Sequence, residues 1–344
     1  MNPDRTRQTN SISFLTIIVL TLVIASVSYP LQAASIHPLS TSNTRPVVLI
    51  HAIPTSRSAE ITTKEDWLVS LDTEITNHFS YNYDSNETVR FDGETTRLAL
   101  SIKRGVTDNA EVEVIVPFIS HDGGSLDQFI EDWHDVFGFP QNGRKQHPRD
   151  QLHFYYQKNG VVKLDFQEPA SGVGDMQIIY AVDIIEPRES DKRHLMLKTS
   201  LKLPTGDSEK LTGSGGSSVA AWLTGDKATS WFGFDGLNYF SAGAMWMEKG
   251  DVITDQQRSF ALFGGIGSGV EVSKRIALQL QLDAHTPLYE GSDLTEMGSV
   301  AFLLTIGGNL EFSDNWNLDV AVVEDILPHA APDVTFHLGI NSRW

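Results

Sequence analysis

The chain has no cysteine among its 344 residues. No disulfide therefore holds it, and neither a Cys-zinc nor an iron–sulfur site can be built. It is poor in positive charge, with 26 Lys and Arg against 44 Asp and Glu. That balance argues against a nucleic-acid partner, because phosphate binding needs cations. After residue 27 it also lacks any apolar run approaching the ~20 residues that a membrane helix needs. Two classes survive these absences: a soluble exported protein, or a β-barrel that crosses a membrane with closed strands.

Export is read from the first residues. Arg5 and Arg7 sit in a polar lead, Phe14 to Val27 is almost continuously apolar, and small residues reach a cleavage point after Ala33. Residues 1–33 are expected to be a secretory signal peptide, the alternative being an uncleaved inner-membrane anchor. Removing them takes away Arg5, Arg7 and Asp4, leaving 24 cations against 43 anions. An acidic balance suits a soluble protein and an outer-membrane barrel equally.

Strand patterning separates the two. From Trp67 to Tyr81 one face carries Trp67, Val69, Leu71, Ile75, Phe79 and Tyr81, and the other Leu68, Ser70, Asp72, Glu74, Thr76, His78 and Ser80. Period-two alternation predicts a two-sided strand. It outruns the ~5–6 residues usual in soluble domains and reaches the ~9–11 that span a membrane. Similar alternation recurs about twelve times, ending in Val334, Phe336, Leu338 and Ile340 just before the terminal Trp344. Tight turns (107–109, 273–275, 313–315) alternate with longer polar stretches (82–90, 121–150, 204–216, 248–257, 286–297). Short turns on one side and long loops on the other are the asymmetry of transmembrane barrels. The expected fold is an all-β, antiparallel up-and-down barrel of about twelve strands over residues 65–344, placed in the cell outer membrane among its lipids. Residues 34–64 are expected to form a periplasmic tail, with a segment inside the lumen as the alternative.

One stretch departs from the β pattern. Leu126, Ile130, Trp133 and Phe137 fall at helical spacing, with Asp127, Glu131, Asp132 and Asp135 on the polar face. Ser125 and Gln128 form a capping box, and Gly138 with Pro140 ends the helix. This short amphipathic helix lies in the longest loop, 121–150, expected to be extracellular. It either orders that loop against the barrel rim or constricts the lumen, with Asp127, Glu131, Trp133 and His134 as the constricting candidates. A hairpin is expected around Lys158-Asn159-Gly160.

Several motifs carry a resemblance: Asp92-Gly93-Glu94-Thr95, Phe129 to His134, Phe137-Gly138-Phe139-Pro140, Pro148-Arg149-Asp150, Gly172-Val173-Gly174-Asp175, Leu203-Pro204-Thr205-Gly206-Asp207 and Leu211-Thr212-Gly213-Ser214-Gly215. Together, over residues 67–344, they resemble domain-of-unknown-function family 3187, an uncharacterised family of bacterial outer-membrane barrels. The Leu-Pro-Thr-Gly-Asp stretch is also similar to porin-like barrels assigned to a phenol-degradation pathway. The resemblance implies a barrel and no assigned functional residue. The terminal strand resembles the signal read by the barrel-assembly machinery, an expected partner, with Gly339 and Trp344 as its candidate residues. Ser342 departs from that pattern, where an apolar or aromatic residue is usual.

Chemistry is sparse. The glycine-rich stretch 213–218 lacks the Gly-Lys-Ser/Thr end of a phosphate loop, so it reads as a mobile loop. No cofactor or metal motif is found, and neither is expected. His121-Asp122 and His134-Asp135 read as solvated loop residues. What remains is the inward face: Asp72, Glu74, Arg97, Lys103, Glu111, Glu113, Asp175, Lys198, Lys202 and Asp283 are the candidate lumen-lining residues. If the lumen is open, its carboxylates favour cations or neutral polar solutes. The first expectation is a passive channel for an unknown small solute. A closed structural or surface-interaction barrel is the alternative, and a barrel enzyme acting on lipids comes third.

Overall fold

A computed structural model describes residues 36–344 except 139–140, 142, 186–192 and 327–329. The expected signal peptide and Phe139-Pro140 lie outside the described residues, as do the side chains of Trp133, His134 and Phe137. Within them are β1 (Trp67–Tyr83), β2 (Glu87–Thr107), β3 (Ala110–Asp122), β4 (His153–Lys158), β5 (Val161–Phe166), β6 (Ala170–Val173), β7 (Met176–Asp183) and β8 (Arg193–Leu203). There follow β9 (Ser218–Trp231), β10 (Phe234–Met247), β11 (Phe260–Ser273), β12 (Ile276–His285), β13 (Ala301–Ser313), β14 (Trp316–Asp325) and β15 (Val334–Arg343). The helices are α1 (Pro46–Leu49), α2 (Asp127–Phe137) and α3 (Thr295–Gly298).

Twelve strands close an antiparallel ring in the order β1, β2, β3, then β7 to β15, and back to β1. The polarity of the alternation shows why. On β1 the outward Trp67, Leu71, Ile75 and Tyr81 are exposed, while the inward Ser70, Asp72, Glu74, Thr76, His78 and Ser80 are buried. The same holds for Leu98, Leu100 and Ile102 on β2, Leu278 and Leu280 on β12, and Leu338 and Ile340 on β15, all exposed. A soluble fold would hide these residues. A lipid-facing barrel shows them, and closure satisfies every strand's backbone without an edge. Trp67, Trp231, Phe234, Phe312, Trp316 and Trp344 girdle one end of the belt.

That end holds two-residue turns at 108–109, 232–233, 274–275 and 314–315 and the nine-residue connection 184–192 between β7 and β8, and the other end holds the remaining long loops. Two details differ from the pattern reading. The stretch 82–90 is the tip of the β1–β2 hairpin rather than a loop, with only residues 84–86 between the strands. β9 runs on to Trp231, through a polar stretch that shows no alternation. The Lys158-Asn159-Gly160 hairpin is β4–β5, with Asn159 and Gly160 at φ 50° and 75°. β4 pairs with the upper part of β2, and β6 with the upper part of β3.

The seam is closed by the last residue. The Trp67 N–H donates to the Trp344 carbonyl and the Trp344 N–H to the Trp67 carbonyl, each at 2.9 Å. Gly339 lies in register between Asp72 of β1 and Asp319 of β14, and an added Cβ would sit 2.8 Å from the Asp72 carboxylate. Ser342 is directly across from Trp316 and buried, and Trp316 packs edge-to-face on Trp344 with ring centroids 6.2 Å apart. The neighbouring strand thus supplies the aromatic that position 342 lacks. Ser342→Tyr is accordingly expected to lose ~1–3 kcal/mol through overpacking. A lower temperature of conversion from the compact to the unfolded band on gels checks it; an unchanged temperature would show that the tryptophans leave room.

Candidate functional site in the lumen

The inward strand faces do not line an empty bore. Residues 36–64 run inside them, held by hydrogen bonds along the barrel's full height. Going up, His37 Nε2 is 3.0 Å from the Asp319 carboxylate. Gln281 reads the Leu39 backbone both ways, accepting from its N–H at 3.0 Å and donating to its carbonyl at 2.9 Å. Thr41 meets Thr305 at 3.0 Å. The Ser42 N–H and hydroxyl donate to Glu74 at 2.8 and 2.7 Å. Thr44 meets Thr76 at 2.6 Å. Arg45 ends this limb by donating to the carbonyls of Glu296 and Ala331, in loops at the long-loop end.

The apex is α1. Its Pro46 satisfies the first-turn preference for a residue without an N–H. Val47, Val48 and Ile50 are buried in one apolar cluster with Val89, Phe91, Phe154, Tyr156, Met245 and Tyr289. His51 is 3.0 Å from the Tyr289 hydroxyl. Burial, and then the charge of Lys202, pull the His51 imidazole down to about 3, so it sits there neutral. Burial likewise lowers the Arg45 guanidinium below its ordinary value, against the opposing pull of Glu296.

The chain then descends. Ser56 donates to Asp283 at 2.7 Å, Arg57 to Glu113 at 2.7 Å, Lys198 to the Ser58 carbonyl at 2.8 Å, and the Thr62 N–H to Glu111 at 2.8 Å. Lys64 bridges to Gly105 near the short-turn end, where β1 begins. The segment is thus a hairpin with its bend at the mouth and both limbs leaving at the short-turn end. It leaves a cavity of about 70 Å³ lined by Arg57, Arg97, Gln177, Trp222 and Asp283, room for a few waters.

All ten candidate lumen residues lie on this inward face, and each has a partner on the wall or the segment. Glu74 also takes Arg97 at 2.9 Å, Lys103 and Lys198 flank Glu111 at 3.5 and 3.8 Å, and Asp72 faces His337 at 3.7 Å. Asp175 pairs with Lys202, and Asp283 accepts from Gln281 at 2.7 Å. The mouth has a second cover. The β4–β5 hairpin leaves β2 and reaches loops on the opposite side of the ring. Gln256 donates to the Tyr156 hydroxyl at 3.1 Å, and Lys163 pairs with Asp255 at 2.7 Å.

The loop helix sits elsewhere. Asp127 accepts from Asn77 at 2.9 Å and pairs with Arg144 at 2.7 Å. Asn77 belongs to the outward face of β1, as does Phe79, which the Arg144 guanidinium covers at 4.8 Å. Glu131 pairs with Arg149. Asp127 therefore fastens α2 to the outer wall and Glu131 ties it to its own loop, and among the described residues the lumen is narrowed by residues 36–64 instead. The helix start is capped by Glu94 of β2, which accepts the Ser125 and Leu126 N–H groups at 2.9 and 2.5 Å, not by Gln128, which is exposed. A Cβ at Gly124 would fall within 2.2 Å of that carboxylate, and φ there is +71°.

The pattern missed how three glycine-rich motifs converge. Asp175 accepts the N–H groups of Gly206 and Ser214 at 2.9 and 3.1 Å, and its partner Lys202 also donates to the Ser214 hydroxyl at 2.6 Å and the Gly216 carbonyl at 2.7 Å. His121, a loop residue by pattern, is buried on β3, with the Thr95 hydroxyl at 2.9 Å and the Leu211 carbonyl at 3.1 Å.

The profile of the family described as protein of unknown function, DUF3187, matches residues 14–344. No curated protein matches the chain. Among solved structures, a COG4313 outer-membrane channel from Pseudomonas putida F1 is similar, with TM-score 0.54 and 12% identity over 83% of this chain and 98% of that one. The NanC porin follows at TM-score 0.44 and 6% identity, covering 80% and 98%. The first likeness shows the shared fold, that of an outer-membrane barrel.

Proposed function

We propose that this chain, which belongs to the DUF3187 family, is an outer-membrane channel for small polar solutes, shut at rest by its own residues 36–64. One observation carries the reading: the groups that hold the segment keep partners on the wall. Glu74 has Arg97, Glu111 has Lys103 and Lys198, Asp283 has Gln281, and Asp319 has Asn309 and Asn341. A wall that remains satisfied without the segment is suited to losing it. The apolar seat of Val47, Val48 and Ile50 favours the second reading, a permanently closed barrel acting through its loops.

A reversible pin separates the two. The native chain has no cysteine, and the Thr41 and Thr305 hydroxyls are 3.0 Å apart, so Thr41→Cys with Thr305→Cys should crosslink segment to wall. In a planar bilayer with mild urea, which weakens apolar burial and releases the least stable segments first, the reduced variant is expected to open and the oxidised one to stay shut. An oxidised, folded variant that conducts like the reduced one would rule out residues 36–64 as the gate.

A further inference from the structure

One carboxylate inside the barrel has no counter-ion. Asp283 of β12 accepts from the Ser56 hydroxyl and the Gln281 amide, each at 2.7 Å, and no cation pairs with it among the described residues. Arg57 and Arg97 line the same chamber, but they are paired with Glu113 and Glu74. An enclosed charge without a partner of opposite sign is costly, and within a membrane-spanning fold it marks a functional position.

The wall around Asp283 leaves space. On the inward faces Trp222, Gly243, Phe263 and His285 lie side by side across β9 to β12, and Ser241, Gly265 and Asp283 form the next row. At the two glycines the wall is bare backbone. Trp222 leans over Gly243 to meet Phe263 edge-to-face, ring centroids 6.0 Å apart. The Asp283 carboxylate lies over Gly265, where a Cβ would fall 2.2 Å from it. Thr55 and Arg57 of the lumenal segment close the other side of this chamber of about 70 Å³.

Two more groups at the chamber are unspent. The Trp222 indole N–H and the Thr55 hydroxyl are buried without a hydrogen-bond partner among the described residues, and both residues line the space. Waters satisfy an indole and a hydroxyl, but they bring no charge to Asp283. No three His, Asp or Glu side chains converge on a metal position among the described residues. A carboxylate beside the aromatic pair of Trp222 and Phe263 is instead the setting of an organic ammonium.

We infer that this chamber is a binding site for a small amino alcohol. Its ammonium pairs with Asp283 and donates to the Thr55 hydroxyl, and its own hydroxyl oxygen accepts from the Trp222 indole. Thr55 belongs to the segment, and Asp283 and Trp222 to the wall, so the bound solute ties one to the other. The inference concerns the shut barrel and is independent of whether the segment ever leaves.

The test is thermal. The mature protein is folded from urea into lipid-free detergent at neutral pH with ethanolammonium chloride, or with sodium chloride at the same concentration. The temperature at which the compact gel band converts is then read. Ethanolammonium is expected to raise it above the sodium value, as a ligand of the folded state does. The shift is expected to vanish in Asp283→Asn, which keeps the volume and an acceptor for Ser56. It is expected to shrink in Trp222→Phe, which keeps a ring and loses the N–H. Equal temperatures in the two salts overturn the inference and leave the chamber to water. A shift that survives in Asp283→Asn also overturns it, because the amine then binds elsewhere. The compact band shows that each variant folds, and if Asp283→Asn does not, an undiminished shift in Trp222→Phe overturns the inference by itself.

Discussion

A chain lacking residues 36–62 is expected to conduct across a planar bilayer in which the intact chain is silent. Silence of the intact chain follows from the apex. Val47, Val48, Leu49 and Ile50 are all buried, and at ~1.5–3 kcal/mol for each side chain their exposure costs on the order of 10 kcal/mol. Spontaneous release is then far too rare to record. Without the segment, the bore is lined by Asp72, Glu74, Glu111, Glu113, Asp175, Asp283 and Asp319 against Arg97, Lys103, Lys198 and Lys202, because Arg57 leaves with it. An excess of carboxylates makes the open state cation-selective, and the sign of the reversal potential in a salt gradient measures that. The wall pairs named above persist, so the barrel is expected to fold, less stable for the lost apolar contacts. A folded deletion variant as silent as the intact chain would show that the β4–β5 hairpin closes the mouth by itself.

What could be read in advance follows from where the physics is local. Lipid outside and polar groups inside force opposite characters on alternate residues, so the β1 pattern from Trp67 to Tyr81 announced both the strand and its lipid face. The ring and its turn asymmetry followed from repeating that rule. The candidate lumen residues were drawn from the same rule, as the polar side of each alternation. Residues 36–64 carry no period, because their partners are scattered through the barrel: Leu39 bonds Gln281, Ser42 bonds Glu74 and Ser56 bonds Asp283. Only the short apolar run at Val47 to Ile50 hinted at burial. The α2 helix was visible, but not its place: helical spacing locates a helix without saying that Asp127 is held by Asn77 on the outward face of β1 rather than in the lumen. Likewise Asp175 and Lys202 were visible as inward charges, while the backbone donors and acceptors that join them come from loops whose folding no spacing rule encodes.

That junction carries the other large effect. Lys202→Met is expected to destabilise the folded barrel by ~3–5 kcal/mol, the usual cost of stranding one member of a buried ion pair. Lys202 and Asp175 are both almost fully buried, at 2% and 3% exposure. Without the ammonium, Asp175 retains only neutral donors, the N–H groups of Gly206 and Ser214 and, at 3.4 Å, the Ser214 hydroxyl, and the Gly216 carbonyl and Ser214 hydroxyl each lose one of their two donors. Adding Asp175→Asn removes the stranded charge and supplies an amide donor, so the double variant is expected to recover most of the loss. The temperature of gel-band conversion for the two single variants and the double gives the coupling. A Lys202→Met barrel within ~1 kcal/mol of the native one would mean that water reaches Asp175 and that the pair is not dry. Lys202 also donates to the Ile50 carbonyl at 3.4 Å, so the same ammonium ties the long-loop junction to the bend of the lumenal segment. The single variant should therefore need less urea to open than the native chain. If the band shifts while the urea threshold does not, Lys202 holds the loops alone and the segment is secured by its apolar apex.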